Sequence, residues 1–200
     1  MTLTDEQGAE LLGLARTTVD GFVRSGQVPS FEARGAPFLR EVRGAFVTLK
    51  TTDDELRGCI GLPYPVKELG EAVVEAAVGA AAHDPRFPRV RPEELDGLLV
   101  EVSALTRPRR IEYSSPLELP RLVRIGEDGL IVSNGRASGL LLPQVATEHG
   151  MAAEDFLSHT CMKAGLPADA WLTGGVTVQA FQAEVFSEAS PRGTTRRELE

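Results

Sequence analysis

The sequence predicts an α+β fold with a mainly antiparallel sheet. Three observations lead to this prediction. The N-terminal half contains two stretches with apolar residues at helical spacing, and the runs "GAFVTLK" and "ELRGCIGL" are typical of two adjacent strands. Further strand-like runs follow with only short turns between them. Because these hairpins outnumber strand–helix–strand crossovers, we expect most strands to pair antiparallel.

The first helix is predicted to begin at Thr4 and to end at Gly26. Thr4 and Gln7 have the spacing of a capping box, and glycine commonly ends a helix. The apolar residues between them recur at helical spacing: Leu11, Leu12, Ala15, Val19, Phe22 and Val23.

A β-hairpin and a second helix come next. The polar turn "TTDD" separates the two strands. The helix is predicted to open at Pro65 and to end at His83, because the residue before Pro85 is pushed out of helical geometry. Its apolar stripe consists largely of alanines, so we expect it to pack closely against a neighbour.

The second half of the chain alternates predicted strands with short helices. "GLLVEVSALT" and "RLVRIGEDGLIVSNGRASGLLL" supply strands, with turns at "GEDG" and "SNG". Helices are predicted from Pro143 and around Phe156. "GGVTVQAFQAEVF" is predicted as a last strand with a bulge near Ala180. Residues 1–190 are expected to form one domain, and 191–200 a flexible tail.

Composition excludes several classes of protein. The chain has 200 residues and a formal net charge of −8, which argues against nucleic acid or an anionic membrane as the main partner. No stretch is long and apolar enough to span a bilayer, and the N-terminus lacks the pattern of a signal peptide. Cys59 and Cys161 belong to no CxxC pair, so we expect reduced thiols in a cytoplasmic protein.

The first candidate site is the segment "LRGCIG". On a strand, Arg57, Cys59 and Gly61 share one face. A neighbouring guanidinium favours the thiolate, so Arg57 is expected to lower the pKa of Cys59. Gly58 and Gly61 are expected to leave room for a ligand. The alternative is that Cys59 is a small buried hydrophobe and Arg57 a surface residue.

The segment "AAHDPRFP" is the second candidate. His83 lies at a predicted helix end, Asp84 is expected to orient it, and Arg86 follows in a loop bounded by prolines. These side chains suit proton transfer or the binding of an anionic group. The alternative is a helix-ending turn whose charges are solvated.

Three further residues join the list. Glu101 interrupts an apolar strand, so it either reaches solvent or is buried beside a cation such as Arg57. Gln144 follows a strand end and is expected to reach a ligand site, or else to be an ordinary first-turn residue. Lys163 lies one turn after His159 on the late helix, whereas Cys161 is expected to pack in the core.

Familiar catalytic motifs are missing. The sequence has no GxSxG, HExxH or CxxxCxxC pattern, which argues against a nucleophile-elbow serine hydrolase and against a radical-SAM cluster held by this chain. The histidines lack metal-ligand spacing among themselves. Iron, copper or zinc bound by Cys59, His83 and a carboxylate stays open, and the sequence specifies no cofactor.

Several segments together resemble the AMMECR-one domain family. The resemblance covers about residues 11–186, and the segments that carry it follow in order: "LRGCIG", "HDPRFP", "VEVSALT", "EDGLIV", "LLPQVA" and "CMKAGL". The resemblance implies a larger lobe made from both chain ends around an antiparallel sheet, a smaller inserted lobe, and a cleft lined by "LRGCIG" between them. The glycines would keep a groove open beside Cys59. The residues "LPYP" depart from the family pattern just after the motif.

The resemblance also implies a biological context but no reaction. Prokaryotic members are often encoded beside a Memo-like protein and a radical-SAM protein, as part of the AmmeMemoRadiSam system. One hypothesis is an enzyme component with Cys59 as nucleophile or metal-binding thiolate, Arg57 activating it or binding an anion, and His83 or Glu101 moving protons. The other is a non-catalytic adaptor whose cleft receives a peptide of a partner.

Overall fold

The computed structural model describes residues 2–28 and 36–198. The chain forms two compact units: the first combines residues up to Leu105 with those from Glu184, and the second is Thr106–Ala183. The α+β class is confirmed, and the strand pairs of known register are antiparallel. The first unit combines an N-terminal with a C-terminal stretch of the described residues, and the two-lobed arrangement that the resemblance implies stays a prediction. The cleft stays a prediction.

Helices and strands alternate along the chain as follows: α1 (Asp5–Ser25), β1 (Ala45–Thr51), β2 (Leu56–Leu62), α2 (Leu69–Ala82), β3 (Leu98–Leu105), β4 (Arg109–Arg110), α3 (Leu119–Leu122), β5 (Gly129–Ser133), β6 (Ser138–Leu141), α4 (Pro143–Glu148), α5 (Ala153–Lys163), β7 (Thr177–Phe181), β8 (Ala183–Glu188) and β9 (Thr195–Glu198). Short 3-10 helices lie at Pro37–Arg40, Pro92–Gly97, Pro116–Glu118 and Ala170–Leu172.

The first unit is built on a five-stranded sheet with the order β2-β1-β3-β8-β9. α1 and α2 pack on one face of this sheet, which we call the helix-covered face. Its side chains are almost completely buried: Ala45, Val47, Leu49, Leu98, Val100, Val102 and Phe186. The alternate residues of the same strands form the opposite, helix-free face, and those of β1 and β2 are only partly buried.

The predicted start and end of α1 are confirmed. The Thr4 side chain accepts a hydrogen bond from the backbone N–H of Gln7, whose side chain in turn accepts one from the backbone N–H of Thr4. Gly26 ends the helix with a φ of 71°, a left-handed conformation that glycine adopts without a steric penalty.

The prediction that α2 opens at Pro65 is wrong, because the helix begins at Leu69. Glu68 instead forms an isolated bridge with Val42, and the backbone N–H of Leu69 donates to the carbonyl of Glu41. These contacts hold the approach to the helix in extended geometry. The predicted close packing of its small residues is confirmed at Gly79, where an added Cβ would overlap Ile60 of β2.

Two predictions near the C-terminus are also wrong. The phase change near Ala180 is not a bulge: the chain leaves the second sheet after Phe181 and enters the five-stranded sheet at Ala183. The backbone N–H of Gln182, between them, donates to Oγ1 of Thr106, and the carbonyl of Gln182 accepts the backbone N–H of Thr106. The expected flexible tail at 191–200 contains strand β9, which pairs with β8.

The second unit contains a four-stranded sheet with the order β4-β7-β5-β6. Its core includes Leu130, Val132, Phe156, Leu157 and Cys161, and each of these side chains is 0% exposed. The predicted helices at Pro143 and Phe156 are confirmed as α4 and α5. Arg121 and Leu122, predicted as the start of a strand, instead end the short helix α3.

Candidate functional site

Three reactive side chains form a row across the helix-free face. In the sheet register, Thr48 of β1 is paired with Cys59 of β2 on one side and with Glu101 of β3 on the other. Directly opposed residues of antiparallel strands have their side chains on the same face. The register therefore brings together a thiol, a hydroxyl and a carboxylate that lie far apart in the sequence.

The Cys59 thiol is hydrogen-bonded within this row. The hydroxyl of Thr48 donates to its sulfur at 3.3 Å. Cys59 directs its backbone N–H away from β1 to a side-chain acceptor, so its pair with Thr48 is of the non-hydrogen-bonded kind, in which side chains approach most closely. The geometry of the hairpin thus places the hydroxyl on the sulfur.

Asp84 occupies the free edge of β2 beside Cys59. Its Oδ2 accepts the backbone N–H of Cys59 at 2.8 Å, and the same oxygen accepts Nη2 of Arg86 at 2.8 Å. Its Oδ1 accepts Nε of Arg86 at 3.0 Å and the backbone N–H of Arg86 at 3.1 Å. The Asp84 side chain is only 2% exposed, and it both satisfies the strand edge and fixes the guanidinium.

The pKa values of Asp84 and Cys59 are shifted in opposite directions. The bidentate Arg86 guanidinium holds the pKa of Asp84 well below its usual range, helped by the backbone N–H groups of Cys59 and Arg86, although burial opposes this effect. Burial raises the pKa of the Cys59 thiol, while the Thr48 hydrogen bond and the Arg86 charge oppose that rise. The thiol is therefore neutral at rest.

Arg57 does not activate the thiol, and the expected lowering of the pKa of Cys59 is wrong. The Arg57 guanidinium donates from Nε to Oε1 of Glu94 at 2.8 Å and from Nη1 to the carbonyl of Pro88 at 3.0 Å. Its side chain ties the edge of β2 to the segment that follows α2. The cation that favours the Cys59 thiolate is Arg86.

Glu101 is paired with a different cation from the one expected. Nζ of Lys50 lies 3.3 Å from Oε2 of Glu101 and 3.2 Å from Oδ1 of Asp54 in the hairpin turn. The side chain of Glu101 is 18% exposed, and that of Lys50 is 31% exposed. Glu101 thus neither reaches freely into solvent nor contacts Arg57.

The two motif glycines are needed for packing. A Cβ on Gly58 would overlap the carbonyl oxygen of Ala80, so α2 approaches the backbone of β2 directly at this point. A Cβ on Gly61 would overlap the ring of Phe46 on the paired strand. Gly58 and Gly61 as ligand-binding positions stay predictions.

Comparison with known proteins decides the family. The family model AMMECR1 matches residues 12–186. This chain belongs to the AMMECR1 family. A protein from Thermococcus gammatolerans is 51% identical over 199 residues, covering 98% of this chain and 97% of the relative. One from Thermofilum pendens is 48% identical over 200 residues, covering 96% and 94%.

A solved structure shares the fold of this AMMECR1 chain. The crystal structure titled as the uncharacterized protein PH0010 from Pyrococcus horikoshii superposes with a TM-score of 0.88 at 46% sequence identity. The match covers 99% of each chain. The expected family membership is confirmed, and the relatives assign no reaction.

Among the described residues of this AMMECR1 chain, His83 has no hydrogen bond or ion pair with Cys59, Thr48 or Glu101. It follows α2 and lines a cavity of about 420 Å³ with Val28, Glu71, Val74, Glu75 and Val78. Asp84 does not orient the imidazole, because its carboxylate is engaged by Arg86 and Cys59. A role for His83 in proton transfer at Cys59 stays a prediction without a contact to support it.

Gln144 and Lys163 belong to the second unit. Gln144 lies in the first turn of α4, and its buried Oε1 has no hydrogen-bond partner among the described residues. Lys163 is exposed at the end of α5. Their assignment to ligand binding stays a prediction.

The sequence-based prediction missed Thr48 and Lys50. Both lie on β1 on the same face as Cys59, two residues apart, and hairpin register alone determines what they oppose. The signal was present in "GAFVTLK", whose polar residues alternate with apolar ones.

The described part of this AMMECR1 chain lacks two features, a metal-binding cluster of side chains and a membrane-spanning helix. Across residues 2–28 and 36–198, no group of three or more His, Cys, Asp or Glu side chains is arranged to hold a metal ion. Over the same residues, no helix has both the length and the apolar character needed to cross a membrane.

Proposed function

We propose that this AMMECR1-family protein carries out chemistry on a small molecule or a modified group, as a component of an AmmeMemoRadiSam-type system in the cytoplasm. The reacting residue is Cys59 on the helix-free face. The observation that carries the proposal is the row of Cys59, Thr48 and Glu101, in which a partly buried thiol has a hydroxyl on its sulfur and a carboxylate one strand further on.

In the free protein, burial keeps the pKa of Cys59 above its ordinary value, which disfavours the reactive thiolate. In this proposal, the thiol is therefore activated only when the ligand binds. The thiol passes its proton to a base, a sulfur lone pair forms a bond to an electrophilic carbon, and the leaving group departs with the electrons of the bond that breaks. Thr48 stabilises the thiolate through its hydrogen bond.

Glu101 is the base in this proposal. It lies in the same row as Cys59 and is held by Lys50 at 3.3 Å, so its carboxylate is oriented on the helix-free face. A ligand group that binds Lys50 would release the carboxylate to accept the thiol proton. The residue is then a proton acceptor at the moment of reaction rather than a permanent partner of the thiol.

A second function, a non-catalytic adaptor, is supported by two observations. Burial raises the pKa of Cys59, which disfavours the thiolate, and Glu101 and Arg86 are already paired with Lys50 and Asp84. In this alternative, the helix-free face receives a peptide or loop of the Memo-like or radical-SAM partner, and Cys59 contributes packing only.

A metabolite comparison tests the two functions. A host carrying all three components is compared with hosts in which this protein is replaced by Cys59→Ser or by Cys161→Ala, and co-purification of the partners is measured in parallel. Cys161 lies in the core of the second unit, so its replacement is the matched removal of a thiol.

The catalytic proposal expects the system-dependent metabolites to disappear in Cys59→Ser while partner co-purification persists, and both to persist in Cys161→Ala. Unchanged metabolites in Cys59→Ser would rule the catalytic proposal out. Joint loss of co-purification and metabolites in a folded Cys59→Ser protein would favour the adaptor.

A further inference from the structure

Arg86 is held rigidly beside Cys59 with part of its guanidinium unused. Asp84 accepts Nε at 3.0 Å and one N–H of Nη2 at 2.8 Å. A guanidinium has five N–H groups, so three remain on Nη1 and Nη2. The side chain is 55% exposed, and it has no other hydrogen-bond partner among the described residues.

The ion pair of Asp84 and Arg86 presents its positive end to solvent. The Asp84 side chain is 2% exposed, whereas that of Arg86 is 55% exposed. The buried Asp84 carboxylate fixes the plane of the guanidinium. It leaves the N–H groups that face solvent available to a ligand. This arrangement suits the binding of a carboxylate, phosphate or sulfonate, which accepts two parallel N–H bonds.

The guanidinium is also close to the reacting sulfur. One oxygen, Oδ2 of Asp84, accepts both the backbone N–H of Cys59 and Nη2 of Arg86. Lys50 supplies a second positive charge on the other side of the row, where it is shared between Glu101 and Asp54. A ligand at Cys59 therefore has a fixed and accessible cation within reach on the β2 edge.

We propose that the ligand of this site is an anionic electrophile, with its negatively charged group bound by Arg86 and its reacting carbon at Sγ of Cys59. The proposal rests on the proposed function of Cys59 and adds the chemical class of its ligand. Arg86 is thereby a ligand-binding residue. The sequence also offers Arg57 for binding an anion, but its guanidinium is occupied by Glu94.

Two alkylating reagents of similar size separate charge from reactivity. Iodoacetate is anionic and iodoacetamide is neutral, and both form a sulfur–carbon bond with the thiolate while iodide leaves with the bonding electrons. The ratio of their rate constants at Cys59 cancels the thiolate fraction, because both reagents consume the same species. Alkylation is followed by peptide mass spectrometry and compared with N-acetylcysteine amide as reference thiol.

The ratio of the iodoacetate to the iodoacetamide rate constant is expected to exceed that of the reference by about fivefold at low salt, since two unit charges about 4 Å apart in water attract by about 1 kcal/mol. About 0.5 M KCl should return it towards the reference value. Arg86→Gln should do the same. Arg136→Gln, the same charge change in an exposed turn of the second unit, should leave the ratio unchanged.

The outcomes distinguish the two proposals. Alkylation of Cys59 by both reagents with the reference ratio, or with a ratio that salt leaves unchanged, overturns the anionic class and leaves the reactive thiol standing. Protection of Cys59 from both reagents in the folded protein overturns the proposed function itself. The salt series uses the unaltered protein, so the result holds even where Arg86→Gln fails to fold.

Discussion

The two faces of the five-stranded sheet carry the same strands and have opposite characters. On the helix-covered face, Val47, Leu49 and Val100 are 0% exposed beneath α1 and α2. On the helix-free face, the intervening positions hold Thr48 and Glu101, which are only partly buried. Because side chains alternate along a strand, packing makes one face mainly apolar and leaves the other available for chemistry.

The same contrast separates two carboxylate–guanidinium pairs. Arg16 and Glu188 lie between α1 and the sheet and are 8% and 4% exposed. Both side chains also form hydrogen bonds with the backbone of β3. In the pair of Asp84 and Arg86, only the carboxylate is buried. A pair closed on both sides stabilises the fold, whereas one with an open guanidinium retains the capacity to bind a ligand.

Removing one charge from the closed pair should have the largest effect on stability. Glu188→Gln removes the buried counter-charge of the Arg16 guanidinium and leaves it the longer contact with Asp20 at 3.5 Å, so we expect the free energy of unfolding to fall by about 3–5 kcal/mol. Urea denaturation at neutral pH measures it. The matched control is Glu112→Gln, whose exposed partner is Arg110, with an expected change below about 1 kcal/mol.

A double substitution sharpens this test. Arg16→Met combined with Glu188→Leu removes both charges together, and it should cost less than Glu188→Gln alone. Equal costs for the single and double variants would show that the buried charge is not the cause.

The close approach of α2 to β2 on the helix-covered face gives the next largest effect. Gly58→Ala places a Cβ against the carbonyl oxygen of Ala80, a backbone atom of α2 that moves only with the helix. The free energy of unfolding should fall by about 2–3 kcal/mol. In Gly13→Ala the new Cβ meets nothing within 4 Å, and alanine should stabilise α1 by up to about 1 kcal/mol. Similar thermal denaturation midpoints for both variants would contradict this account.

The fold was largely predictable because its elements depend on local patterns. The caps of α1, the β1–β2 hairpin and the end of α2 at His83 follow from residue spacing, glycine and proline. The exchange of sheets at Gln182 was not predictable, since a strand that changes sheet and a strand with a bulge show the same phase shift in sequence.

The central residue of the candidate site, Cys59, was predictable from the sequence, but the side chains that surround it were not. Alternation identified Cys59 as a strand residue beside two glycines, but it assigned the activating cation to Arg57, its nearest basic neighbour along the strand. The guanidinium of Arg57 instead meets Glu94, 37 residues away, and Arg86 approaches through Asp84. Partners across a strand edge depend on how the loop after α2 folds, which no local pattern records.

The smallest expected effect lies at the open pair and depends on pH. The pKa of Asp84 is lowered in the folded protein, first by its hydrogen bonds with Arg86. The folded state therefore binds fewer protons than the unfolded state, so this contribution is complete above an unfolded aspartate pKa of about 4 and is lost as the pH falls further. At pH 7, Asp84→Asn should lower the free energy of unfolding by about 1–2 kcal/mol, less than Glu188→Gln because Arg86 keeps access to water.

The difference between the wild-type protein and Asp84→Asn should narrow as the pH falls from 5 to about 3, because the unfolded wild-type protein then takes up a proton at Asp84 that the folded protein does not. Urea denaturation across this range measures it. Asp53→Asn, in the exposed hairpin turn, should give no such trend. A difference that stays constant with pH would mean that the Asp84 side chain stabilises β2 through its shape and its neutral hydrogen bonds. The open pair would then resemble the closed one in structure without sharing its electrostatics.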